Sequence, residues 1–126
     1  MENARIFLVD DEGLVRNVLT EVVEEAGHRV THKAAGFNEA VSMIDVLELG
    51  EVDVALLDSN LGNPNTKQFG GKRLAEILRN KLSETVKIVN ISSGPDVFKN
   101  QDVKIRKIEF GELLKYIDSL PEPPQP

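Results

Sequence analysis

Three aspartates stand at the ends of apolar runs, and their placement is where chemistry is expected in this chain. Asp10 and Asp11 follow Arg5-Ile6-Phe7-Leu8-Val9, and Asp58 follows Val54-Ala55-Leu56-Leu57. A carboxylate at the C-terminal end of a buried parallel strand faces the crevice in which α/β sheets bind ligands. Carboxylates gathered there repel one another, and a cation offsets that repulsion. The set reads as a hard-metal site with one aspartate left over for chemistry. The bland reading makes Asp10 and Asp11 a loop start and helix N-cap, and Asp58 a turn residue leading into Ser59-Asn60.

The runs that must position these residues alternate between strand and helix. Arg5 to Val9 predicts the first strand. Leu14, Val15, Val18, Leu19, Val22, Val23 and Ala26 then recur at helical spacing, with Gly27 as the stop. Arg29 to Lys33 is a short second strand. Asn38 to Leu49 reads as a helix with Ala40, Val41, Ile44 and Leu47 inward, closed by Gly50. Val52 to Leu57, apolar at nearly every position, suits a central parallel strand. A loop rich in Asn, Gly and Pro runs from Ser59 to Gly70. It is followed by a helix over Lys72 to Leu82 with Leu74, Ile77, Leu78 and Leu82 on one side. Strands are expected at Val86 to Ile91 and Val103 to Arg106. Gly111 to Leu120 closes as a helix with Leu113, Leu114 and Ile117 inward. Such alternation implies an α/β fold, a parallel sheet covered on both faces. Between the last two strands only Ser93 to Asp102 is available, too little for a full crossover, so the fourth helix is expected to be short or irregular.

Size and composition bound the rest. The 126 residues suit one domain, and 40% are apolar, enough for one packed core. A net charge of -6 argues against nucleic-acid binding through a basic surface. There is no cysteine, which excludes disulfides, zinc thiolate sites and thiol catalysis. No stretch is long enough to cross a membrane, and the apolar run near the start is too short for a signal peptide. A cytoplasmic protein is the expectation, with one domain over residues 1–120 and a flexible Pro-rich tail over 121–126. His28 and His32 flank a short edge-like strand and are expected to be neither metal ligands nor phosphodonors. Gly70-Gly71 lacks a following Lys-Ser or Lys-Thr, so it reads as a helix lead-in and not a phosphate loop.

Taken in order, Ile6-Phe7-Leu8-Val9-Asp10-Asp11-Glu12, Asp58 after a buried strand, and Ile88-Val89-Asn90-Ile91-Ser92-Ser93 resemble the receiver domain of two-component response regulators. The resemblance covers Arg5 to Leu120. It implies a flavodoxin-like, doubly wound five-stranded sheet of order 2-1-3-4-5. Asp58 would be the phosphoacceptor, attacking a phosphohistidine to give an acyl phosphate. Asp11 would ligate Mg²⁺ directly and Asp10 through water; Asp58 and the backbone carbonyl of Asn60 would complete the protein ligands. Ser92 would hydrogen-bond a phosphoryl oxygen, and Lys107, with Arg106 as second candidate, would be its counter-ion. The implied partners are a sensor histidine kinase or histidine phosphotransfer protein, and a downstream protein target reached without direct nucleic-acid or membrane contact. Such a chain is a signalling domain and no enzyme, beyond its own phosphotransfer and dephosphorylation.

The chain departs from the family pattern in four places. Ile108 stands where a proline with a cis bond is usual, and a cis bond without proline costs roughly 3 kcal/mol. The loop after Asp58 is long, through Asn63-Pro64-Asn65-Thr66-Lys67. Val103, Lys104 and Ile105 supply no aromatic switch, and the fourth crossover is short. The alternative is therefore a degenerate receiver, a protein-binding module independent of phosphate, whose output face is remodelled. A haloacid-dehalogenase-type hydrolase needs a second Asp two residues after its nucleophile, and Asn60 stands there instead.

Overall fold

Three largely apolar runs become the central parallel strands because residues covered on both faces must be apolar at nearly every position, and two more polar runs form the sheet's edges. The computed structural model describes residues 1–58, 61, 70–91, 101–105 and 109–122. Its elements are β1 (Arg5–Val9), α1 (Gly13–Glu25), β2 (Arg29–Ala34), α2 (Phe37–Val46), β3 (Val54–Asp58), α3 (Gly70–Leu82), a 3-10 turn (Ser83–Thr85), β4 (Lys87–Ile91), β5 (Val103–Ile105) and α4 (Phe110–Ser119). The sheet order is β2-β1-β3-β4-β5, all parallel. This is the flavodoxin-like, doubly wound arrangement.

Strand alternation sorts the core into two layers. Phe7, Val9, Ala55, Leu57 and Ile88 pack with Phe37, Ala40 and Ile44 of α2 and with Leu74, Leu78 and Leu82 of α3. On the other face Ile6, Leu8, Val54, Leu56, Val89 and Ile91 pack with Leu19 and Val23 of α1 and with Leu113 and Ile117 of α4. β3 is buried at all five residues, Asp58 included.

Several boundaries differ from the sequence-based expectation. The second helix ends at Val46 and not Leu49. Leu47 leaves helical geometry (φ -73°, ψ 141°) to tuck its side chain into the core, and Gly50 turns the chain at φ +88°. Leu14 and Ala26, both in phase with the apolar face of α1, are exposed, because they lie at the helix ends beyond the sheet's reach. β2 carries an irregularity: Ile6 pairs with Val30 and Phe7 with His32, which leaves Thr31 as an extra residue. The expected irregular fourth helix falls in 92–100 and the Pro-rich tail's end in 123–126; both lie outside the described residues.

The bottom of the sheet, opposite the aspartates, is tied by polar groups. Arg5 donates from Nε (3.1 Å) and Nη2 (3.0 Å) to Asp53, which also accepts the Arg5 backbone N–H at 2.8 Å. That hydrogen bonding raises the Arg5 pKa above its usual value. His28 is buried. Its Nδ1 accepts the Ala4 N–H at 3.1 Å and its Nε2 faces Asp118 at 3.2 Å, which is a structural role as expected for a histidine far from the acidic end.

Tyr116, half-buried on α4, yields a pH prediction. Burial, and secondarily the charge of Asp102, push its pKa up, while Arg79 partly offsets this. A folded-state value above the unfolded one means the native state holds the phenolic proton more tightly. The stability this contributes is complete below about pH 10 and is lost as pH rises through the native value. With one tyrosine and no tryptophan in the chain, tyrosinate absorbance reads this residue alone. The expected midpoint is higher in native buffer than in denaturant; equal midpoints would contradict the assignment.

Candidate phosphoacceptor and metal site

The acidic end of the sheet is assembled by register. Val9 of β1 is paired with Leu57 of β3, so the next residues, Asp10 and Asp58, leave adjacent strands side by side. Neighbouring strands lie roughly 5 Å apart. Both residues continue the alternation of Leu8 and Leu56, on the α1 and α4 side of the sheet. Asp10 and Asp58 are each 1% exposed, whereas Asp11 is exposed at the crevice mouth.

Local hydrogen bonds fix the β1–α1 turn. The Asp10 N–H donates to Ala34 O at 3.2 Å, and the Asp10 side chain accepts the Glu12 N–H on Oδ1 at 2.8 Å. This is an Asx-type turn, two residues ahead in the chain. The N-cap of α1 is Glu12 (φ -92°, ψ 109°), so neither aspartate fills the capping role of the bland reading. The Asp58 carbonyl accepts from Leu61 N–H at 3.3 Å, and Leu61 O accepts from Gly70 N–H at 2.7 Å, which closes the stem of the loop after β3.

One carboxylate oxygen each from Asp10, Asp11 and Glu12 lies within 4.8 Å of the others. This is an all-oxygen, anionic donor set, partly buried and partly open to solvent. It fits a hard divalent cation that keeps several of its waters, which is the behaviour of Mg²⁺, and does not fit a soft metal. Asp58 adjoins this trio from the next strand. Of the residues singled out in the sequence, Asp10, Asp11 and Asp58 are therefore brought to one end of the sheet. Asn60, Ser92, Lys107 and Arg106 lie outside the described residues.

Two participants carry no sequence signal of their own. Glu12 appears in the acidic run but has no assigned role there, and only the turn brings its carboxylate to the cluster. Arg16, in the first turn of α1, folds its guanidinium back so that Nη1 donates to the Asp10 carbonyl at 2.7 Å. Asn90, 0% exposed within β4, donates from Nδ2 to Gln101 Oε1 at 2.9 Å, which ties β4 to the start of β5.

Comparison with known proteins agrees with this geometry. No family model matches the chain. Over 62 residues, 49% of this chain, it is 39% identical to the transcriptional regulatory protein YvrH of Bacillus subtilis (strain 168). The match spans 25% of that protein, so the chain corresponds to only a part of it. Among solved structures, the response regulator TrrA of Thermotoga maritima, in complex with Mg²⁺ and BeF, superposes with a TM-score of 0.74 at 25% identity; 94% of this chain and 97% of that one are covered. A CheY-like receiver domain protein of Methanospirillum hungatei JF-1 gives 0.72 at 22% identity, covering 91% and 90%. A CheY-like receiver domain of Methylobacillus flagellatus gives 0.74 at 21%, covering 92% and 97%. No helix among the described residues is long and apolar enough to cross a membrane. These neighbours superpose over nearly their whole length on the sheet described strand by strand above, and the chain has the fold of response-regulator receiver domains.

Proposed function

We propose that this chain is a response regulator that accepts a phosphoryl group on Asp58 from a phosphohistidine of a sensor kinase or phosphotransfer protein. The observation that carries the reading is the buried Asp58 carboxylate at the end of the central strand, beside Asp10 and the Asp10–Asp11–Glu12 cluster. An Asp58 oxygen would form the new P–O bond as the P–N bond to the donor imidazole breaks, and the imidazole nitrogen takes up a proton. When bound, Mg²⁺ supplies charge compensation for the transferring phosphoryl group. Asp11 would ligate the ion directly and Asp10 through water, and Asp58 and the Asn60 carbonyl would be further ligands. Ser92 and Lys107 take the phosphoryl oxygens, with Arg106 the alternative cation. The acidic net charge favours output by protein contact, in the cytoplasm.

Incubation with acetyl phosphate tests the reading, with intact mass as the readout. The protein is expected to gain the mass of one phosphoryl group when Mg²⁺ is present and to gain none when it is chelated. A wild-type chain that stays unmodified with Mg²⁺ would mean a degenerate receiver that serves as a phosphate-independent binding module.

A further inference from the structure

We propose that Arg16 is a positioning residue for the cation site, acting through the backbone of Asp10 and not by touching the ion. The inference rests on the Mg²⁺ reading above and adds the residue that holds its geometry. Arg16 lies four residues past Glu12 on α1, and its backbone N–H donates to Glu12 O at 2.9 Å. Long helical side chains point back toward the N-terminus. Here that direction brings the Arg16 guanidinium over the β1–α1 turn, where Nη1 reaches the Asp10 carbonyl at 2.7 Å. Asp10 is then held at three points: its N–H by Ala34 O, its carbonyl by Arg16, and its Oδ1 by the Glu12 N–H. The same three contacts set where the carboxylates of Asp10, Asp11 and Glu12 converge. The guanidinium contact is to a backbone carbonyl and not to a carboxylate of the cluster.

Charge and positioning make opposite predictions here. A positive side chain beside a cation site opposes binding by Coulomb repulsion, so its removal alone should tighten Mg²⁺. Loss of an outer partner that orients ligands weakens metal affinity, typically 10- to 100-fold. The single contact, from a half-buried side chain, places Arg16→Met at the low end, roughly tenfold weaker. Arg16→Lys keeps the charge and one donor on a different stem and is expected to fall between the two.

The experiment measures Mg²⁺ affinity by titration calorimetry on the full chain, and the exchange rate of the Glu12 amide in the Mg²⁺-free protein. Arg16→Met should weaken Mg²⁺ and speed Glu12 exchange, with the amides of β3 unaffected. Arg16→Gln serves the same comparison if methionine at this position unfolds the domain. Affinity equal to or tighter than wild type, or weaker affinity with unchanged Glu12 exchange, would overturn the proposal. If wild type binds no Mg²⁺ while Arg16→Met still loosens Glu12, the cation reading fails and the positioning of Asp10 by Arg16 stands.

Discussion

Asp58→Asn is expected to abolish phosphoryl uptake from acetyl phosphate and, in the same protein, to raise the melting temperature without Mg²⁺. The two effects have one cause. Asp58 and Asp10 are both 1% exposed and adjoin across β1 and β3, so two carboxylates share a site poor in water. Like charges so placed destabilise the fold, and desolvation adds to the cost. An amide of the same shape removes one charge and keeps the packing, which should stabilise the Mg²⁺-free protein by about 1 kcal/mol or more. The amide is a poor nucleophile, so labelling should fall to the background level. Intact mass and differential scanning calorimetry read the two outcomes independently. A variant that labels as well as wild type removes Asp58 from the acceptor role. One that loses labelling but melts lower would mean that Asp58 also stabilises the fold, through contacts that outweigh its repulsion with Asp10.

Leu56→Ala should cost about 3 kcal/mol of folding stability, and roughly 10 °C in melting temperature for a domain of this size. Leu56 is 0% exposed in the middle of β3, between its register partners Leu8 on β1 and Val89 on β4, in the layer facing α1 and α4. Truncation there loses the transfer free energy of the side chain and leaves a cavity that packed neighbouring strands cannot close. Leu14→Ala is the control. Leu14 is 79% exposed at the start of α1, and alanine is the better helix former, so the change should stay within about 0.5 kcal/mol. Urea denaturation compares them directly. Equal losses at the two positions would show that the layer assignment is wrong.

That pair of leucines marks the boundary between what is local and what is not. Strand and helix identities are written in short windows: Val54 to Leu57 is apolar throughout because β3 is covered on both faces, and α3 shows its apolar stripe at Leu74, Leu78 and Leu82. The aspartates at strand ends are legible for the same reason, since a charged residue directly after such a run marks the strand's exit. Strand order is different. Alternation alone implied a covered parallel sheet, whereas the order 2-1-3-4-5 came with the family resemblance and is seen in the sheet itself. Periodicity placed Leu14 in phase with the buried face, but burial depends on where the sheet ends, a property of other segments. The turn after β1 is likewise tertiary in outcome: Glu12 joins the acidic cluster and Arg16 folds back onto Asp10 only once α1 packs against the sheet. The chain by itself determined which residues could do chemistry, because residue type and local period are short-range. The pairing of Val9 with Leu57 decided that Asp10 and Asp58 meet, because register between distant strands is set by the shared core and not by either run alone.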